Sequence, residues 1–250
     1  MNEGPEYGNW VSLRLVYLPA AAAVASLAAS FASPLFLAPA AIFLVAAAYF
    51  AYARRLFSAR GGDVQRTVRA LVLENLDWEG EGRALDIGCG NGALAIMLAK
   101  ELPSARVMGI DFWGERWEYS KEACERNSAA EGVGGRTEFM KASASALPFE
   151  DGFFDAAVSN LVFHEVADAS DKREVLREAL RVVRKGGKFS FQDLFLMERT
   201  YGDIDDLLRT VRSWGVKRVE FIRTGDSAFV PGALRLPFML GTLGIIHGEK

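Results

Sequence analysis

Only two cysteines, Cys89 and Cys124, occur in the 250 residues. Two thiols make neither a disulfide framework nor a zinc site, so no metal is expected and a reduced compartment is the simplest setting. A basic excess is also missing: 29 Lys and Arg stand against 32 Asp and Glu, a formal net charge of −3. That balance leaves no electrostatic footprint for nucleic acid, and none is expected as a partner. The largest absence is local. From Leu15 to Ala53 there is no Asp, Glu, Lys, Arg or His.

That uncharged run is too long for one membrane span of about 20 apolar residues and long enough for two. Ser33-Pro34-Leu35 divides it, which predicts helices over roughly 15–32 and 35–53 joined by a short turn. Ala21, Ala25 and Ala29 recur at i, i+4 and predict a close helix–helix face. Tyr17, Tyr49 and Tyr52 lie near the helix ends, where aromatic rings favour the interface. Arg14 on one flank and Arg54, Arg55 and Arg60 on the other predict a hairpin with both ends cytoplasmic. Residues 1–60 are therefore expected to form a membrane anchor of two transmembrane helices. A cleaved signal peptide is disfavoured because the apolar run continues past any cleavage site; a hairpin lying in the interface remains the alternative.

From residue 61 the pattern changes to alternating strands and helices. Asp63 precedes a helix with Val64, Val68, Leu71 and Val72 on one face. ALDIG, VMGID, TEFMKAS, FFDAAVSN, KFSFQDLF, KRVEFIRT and GTLGIIHGEK read as strands. Helices are expected after ALDIGCG to about Leu102, over WEYSKEACERN, over KREVLREALRVVRK ending at Gly186-Gly187, and over DIDDLLRTVRSW. This order predicts an α/β fold over 61–250: a doubly wound, Rossmann-like, mostly parallel seven-stranded sheet. The apolar stretch from Phe229 is read as a core strand with its approach loop, and docking of that face on a membrane is the lesser alternative.

The sharpest motif is LDIGCGNG, with Gly88, Gly90 and Gly92 at alternate positions between a strand and a helix N-terminus. Such a turn brings backbone close to a nucleotide-like ligand. Gly88, Gly90 and Ala93 satisfy the dinucleotide pattern G-x-G-x-x-A, a weak signal alone. Asp86, just before the glycines, is unfavourable to a pyrophosphate and suits a cation. Asp111 ends the next strand, where a ribose diol is bound. A cationic ligand with an adenosine ribose, S-adenosyl-L-methionine, satisfies both carboxylates.

LDIGCGNG, VMGID, SASALPFEDGFFDAAVSN and LREALRVVRKGGKF, in that order, resemble the class I S-adenosylmethionine-dependent methyltransferases, most closely the small-molecule subgroup. The resemblance covers residues 63–198 well and the last fifty loosely. It implies that Asp86 and the backbone of Gly88, Cys89 and Gly90 hold the amino-acid end of the cofactor. It implies that Asp111 takes the ribose hydroxyls, with Phe112 beside the adenine. Ser143 falls where many relatives carry an Asp to the adenine amino group, and Ala144 would offer its N–H to the ring. Asn160 would line the methionine part near the reacting methyl.

A base is required only if the acceptor must lose a proton. His164 and Glu165, in SNLVFHEVAD after the fourth strand, are the catalytic candidates. Asp193, at the end of the fifth strand, is a second rim position. Cys89 is expected to fit the loop rather than act as a nucleophile, and Trp113 and Trp117 to pack rather than cage a cation. No N-P-P-[Tyr/Phe] motif follows the fourth strand, which reads SNLV, so amino methylation of adenine or glutamine is not indicated. The anchor favours a small hydrophobic or lipidic acceptor such as a quinone. A non-catalytic cofactor-binding scaffold, or a methyltransferase of RNA or protein, are the alternatives.

Overall fold

The computed structural model describes residues 4–114 and 119–250. They fall into two compact units: Asn9–Thr67, and the residues up to Gly8 together with Val68–Lys250.

The smaller unit is built on α1 (Arg14–Ala29) and α2 (Leu37–Phe57), packed against one another with a short 3-10 turn at Pro34–Phe36 between them. Small side chains make that packing, since Ala23, Ala40, Ala47 and Ala53 are the buried positions in the apolar length of the two helices. The contact face of α1 runs through Val16, Ala20, Ala23 and Ser26, whereas Ala21 and Ala25 are exposed. The expected Ala21–Ala25–Ala29 face is therefore displaced around the helix, because the bulkier Val16 and Pro19 share the inner side. A correction to the expected pair of spans also follows. Among the described residues one helix, Pro34–Phe57 at 24 residues, is long and apolar enough to cross a membrane by length and composition; Arg14–Ala29 is a shorter apolar helix. At 16 residues α1 rises about 24 Å, short of a hydrocarbon core of about 30 Å. Near the opening of the unit, Asn9 Nδ2 donates to the Arg54 carbonyl at 3.0 Å, and Arg54 returns a bond to the Val11 carbonyl.

The larger unit carries the seven-stranded sheet in the order β3-β2-β1-β4-β5-β7-β6. The strands are β1 (Gly82–Ile87), β2 (Ala105–Asp111), β3 (Thr137–Lys141), β4 (Phe154–Asn160), β5 (Val183–Asp193), β6 (Arg218–Arg223) and β7 (Gly244–Glu249). Only β7 runs antiparallel to its neighbours β5 and β6. Successive strand side chains point to opposite faces, so each face has its own core. Leu85, Ile87, Ala157, Phe189 and Phe191 meet α6 (Lys172–Arg181) and α8 (Ile204–Ser213) on one side. Ala84, Val107 and Val158 meet α3 (Val64–Glu74), α4 (Ala93–Glu101) and α5 (Lys121–Ala130) on the other. The sequence missed the one-turn helix α7 (Glu198–Tyr201), which seats the buried Tyr201.

The helix expected up to Gly186-Gly187 stops at Arg181, and Val183 onward belongs to β5. Its last carbonyls are claimed from outside: Gly152 N donates to Arg181 O at 3.0 Å and Phe154 N to Val182 O at 2.9 Å. Lys250 Nζ adds bonds to Arg181 O at 3.0 Å and Val183 O at 2.8 Å. The approach to β7 is a chain of short turns that buries Val230, Leu234, Leu240 and Leu243 and leaves Phe238 exposed.

Candidate active site

The carboxyl ends of β1, β2, β4 and β5 converge, and the site forms where their loops leave the sheet. Gly88, Gly90 and Gly92 all have positive φ, the left-handed region open to glycine. A Cβ on Gly88 would fall on the Val162 side chain, so the turn after β4 touches the glycine loop directly. The loop is held by its own amides. Gly88 N and Cys89 N donate to the Ile110 carbonyl at 2.8 and 2.9 Å, and Gly92 N to Cys89 O at 2.8 Å.

Asp111 clamps this loop from the end of β2. Its Oδ2 accepts from Gly90 N at 2.9 Å and its Oδ1 from Trp113 N at 2.8 Å. Trp113 closes the arrangement by donating its Nε1 to Gly90 O at 2.9 Å, and so serves as a strut. Each Asp111 oxygen keeps a further lone pair for a ligand hydroxyl. Asp86 lies beneath the loop, fully buried, with Oδ2 accepting from Ala95 N at 2.9 Å. Burial pushes its carboxyl up to about 7; the Ala95 bond opposes this, the Asp111 charge adds to it, and Arg69 opposes it again.

On the other side of the site, His164 occupies the 3-10 turn Phe163–Glu165 after β4. Its Nδ1 is 2.7 Å from Oδ1 of Asp193, the last residue of β5, which is wholly buried. The Asp193 carboxylate is fixed before His164 meets it. Its Oδ2 accepts from Val162 N at 3.0 Å and Phe163 N at 2.7 Å, and its Oδ1 from Leu194 N at 2.6 Å. A carboxylate at Nδ1 selects the tautomer with the proton there and leaves Nε2 as the basic atom. Burial lowers the His164 pKa, but the Asp193 hydrogen bond and charge, with Glu165, carry it above its ordinary 6.5. Glu165 Oε1 stands 3.7 Å from Nε2.

A family model described as a methyltransferase domain matches residues 85–191. A ubiquinone/menaquinone biosynthesis C-methyltransferase of Geotalea daltonii is 31% identical over 126 residues, 50% of this chain and 51% of the relative. The chain thus spans about half the length of the curated relatives it matches. A geranyl diphosphate C-methyltransferase from Streptomyces coelicolor, solved with S-adenosyl-L-homocysteine, superposes with a TM-score of 0.57 at 13% identity, over 75% of this chain and 80% of that one. The [4+2]-cyclase SpnF gives 0.55 at 19% identity, over 74% of this chain and 80% of its own. The fold is that of a class I S-adenosylmethionine-dependent methyltransferase. The cofactor that goes with it is S-adenosyl-L-methionine.

The remaining expected site residues lie as follows on this fold. Asn160 ends β4 with its Oδ1 buried and, among the described residues, without a hydrogen-bond partner. Phe112 is 63% exposed, with Lys141 Nζ over its ring, 5.3 Å from the centre. The amides of Gly88, Cys89 and Gly90 are all donated within the chain, to Ile110 O and Asp111 Oδ2. Cys89 is buried, and burial with the neighbouring Cys124 thiol raises its pKa, which suits packing and not nucleophilic attack. Ser143 Oγ lies 2.9 Å from Asp168 Oδ2, and Ser145 Oγ donates to the same oxygen at 2.7 Å. A carboxylate therefore stands behind Ser143, supplied from another loop. Ala144 is buried beside it. Trp117 lies outside the described residues.

Several neighbours gave no sequence signal. Arg69 on α3 is 9% exposed, and its charge acts on Tyr7, Asp86 and Tyr119. The Tyr119 ring stands over Gly90, 3.4 Å from where a Cβ would be. Nothing local marks these side chains, since their partners are distant in the chain.

Proposed function

We propose that this chain transfers a methyl group from S-adenosyl-L-methionine to a small, hydrophobic acceptor that gives up a proton in the reaction. The observation that carries this reading is the His164–Asp193 pair on the turn that touches the glycine loop. When bound, the cofactor supplies a methyl group already activated on a sulfonium. The chain's own work is alignment and proton removal. Asp111 orients the ribose and the glycine loop together; Asn160 lines the methionine part; Ser143 and Ala144 face the adenine. His164 Nε2 takes the acceptor's proton, Asp193 holds the ring and stabilises the imidazolium, and Glu165 flanks the same nitrogen.

Support for a quinone-like acceptor comes from the Geotalea relative's name as a ubiquinone/menaquinone C-methyltransferase. It also comes from the apolar side chains the hairpin leaves exposed, among them Leu18, Val24, Phe31, Ile42, Leu44 and Val45. A bilayer is the natural cover for such a surface. We read α1–α2 as the anchor, with the catalytic unit on the cytoplasmic side of Arg54 and Arg55.

A second reading rests on SpnF, a [4+2]-cyclase of the same fold, because the fold alone does not commit a chain to methyl transfer. Release of S-adenosylhomocysteine separates the two. With a demethylated quinol in detergent micelles, the wild type should generate it, and a His164→Gln variant should lose about 10²- to 10⁴-fold in kcat. Activity should climb as pH rises through a value above 6.5, since His164 must be neutral to act and Asp193 holds its pKa up. Asp193→Asn should move that limb to lower pH and lower the plateau. Undiminished turnover in His164→Gln contradicts the assignment of the base.

A further inference from the structure

The residues ahead of the apolar hairpin are held to the catalytic unit by one buried side chain. Asn127, on α5, is 4% exposed and uses both ends of its amide. Its Oδ1 accepts from Glu6 N at 2.8 Å. Its Nδ2 donates to Glu6 O at 2.9 Å and to Asn91 O, inside the glycine loop, also at 2.9 Å. Asn127 therefore ties the N-terminal segment and the cofactor loop to the same point. The two residues that follow the tie are held as well. Tyr7 OH donates to Glu131 Oε1 at 3.4 Å, and Tyr7 packs against the core shared by α4 and α5. Gly8, at φ +71°, places its Cα beside the ring of Tyr119, 3.6 Å from where a Cβ would be.

The surroundings define what this segment faces. Tyr119 stands over Gly90, and Asn91 Oδ1 accepts from Ser120 N at 3.2 Å, so the segment, the loop and the start of α5 form one wall. Two ionisable groups of opposite type bear on it: the carboxyl of Asp86, buried beneath the loop, and the guanidinium of Arg69, whose charge acts on Tyr7, Tyr119 and Asp86 alike. A buried carboxyl, which an incoming ammonium would hold ionised, beside a buried guanidinium is complementary to a zwitterion, here the ammonium and carboxylate of an α-amino acid.

We propose that Glu6–Gly8 is a strap forming one wall of the amino-acid end of the cofactor site, positioned on the glycine loop through Asn127. The inference rests on the reading of the loop as the S-adenosylmethionine site and adds that a segment far upstream of the motif is part of that receptor. Glu6 and Asn127 are positioning residues, and Tyr7 with Arg69 lines the zwitterion's side.

The test is calorimetric titration of the full-length chain and its variants with two probes. S-adenosylhomocysteine carries the amino-acid end, and 5′-methylthioadenosine lacks it. Glu6→Pro removes the amide donated to Asn127, Asn127→Ala removes the whole tie, and deletion of residues 2–8 removes the strap. Each should weaken S-adenosylhomocysteine by about tenfold or more, the scale of one or two lost hydrogen bonds. Methylthioadenosine should stay within about twofold of the wild type, far below that scale. Should the deletion fail to fold, Glu6→Pro, which changes one exposed residue, still decides. Equal losses for both probes, or no loss for either, overturn the strap. A wild type that binds neither probe instead refutes the cofactor assignment on which the strap rests.

Discussion

At Gly88 the backbone sits at φ +72°, and at Gly132 at +74°. A Cβ on Gly132 meets nothing within 4 Å, while one on Gly88 falls on Val162. Gly132→Ala should therefore cost about 1–2 kcal/mol of backbone strain and leave cofactor binding unchanged. Gly88→Ala should add overpacking to that strain, cost about 3 kcal/mol or more, and displace the turn that carries His164. Denaturant unfolding with S-adenosylhomocysteine titration separates the two. Asp86 gives a second prediction at this scale. Its folded pKa, pushed from 3.8 to about 7, favours the protonated form in the folded chain. That contribution to stability is complete below the ordinary carboxylate value and is lost as pH rises through about 7. Thermal unfolding without cofactor should thus weaken from pH 5 to 8, by up to about 1.4 kcal/mol per unit. Asp86→Asn should flatten the dependence. A wild-type curve already flat over that range contradicts the burial argument.

At the scale of the element, local signals gave the strands well and the ends of helices less well. The apolar runs of β1, β4 and β5 are legible because strands buried on both faces need little else. The end of α6 was not, because the groups that stop it, Gly152 N, Phe154 N and Lys250 Nζ, come from far along the chain. The hairpin was half legible. Its charge-free composition marks it, but whether a helix reaches across a bilayer depends on where the turn takes up its residues, and α1 yields its last ones to that turn. The exposed faces of α2 allow a direct check. Replacing Leu44 and Val45 together by Asp should abolish flotation of the full-length chain with phosphatidylcholine–phosphatidylglycerol vesicles, since a charge at the centre of an inserted helix costs about 2.5–3.5 kcal/mol. Retained flotation would show that these side chains do not meet lipid.

For the whole molecule, the site divides into what one stretch of sequence encodes and what only folding assembles. The glycine loop and Asp111 lie close in the chain and carry their meaning in the order of residues. His164 and Asp193 were each visible as rim positions, but as competitors; the register of β4 with β5 makes them partners across 29 residues. Asp168 behind Ser143, and Asn127 holding Glu6 across 121 residues, lie beyond any local pattern. The central claim, that this convergence of strand ends receives S-adenosyl-L-methionine, has a direct measurement. Calorimetric titration of the full-length protein should show micromolar binding of S-adenosylmethionine and S-adenosylhomocysteine, about −8 kcal/mol, and no heat with NAD. Asp111→Ala should abolish both signals. Binding of NAD alone, or cofactor affinity unchanged in Asp111→Ala, would contradict the account.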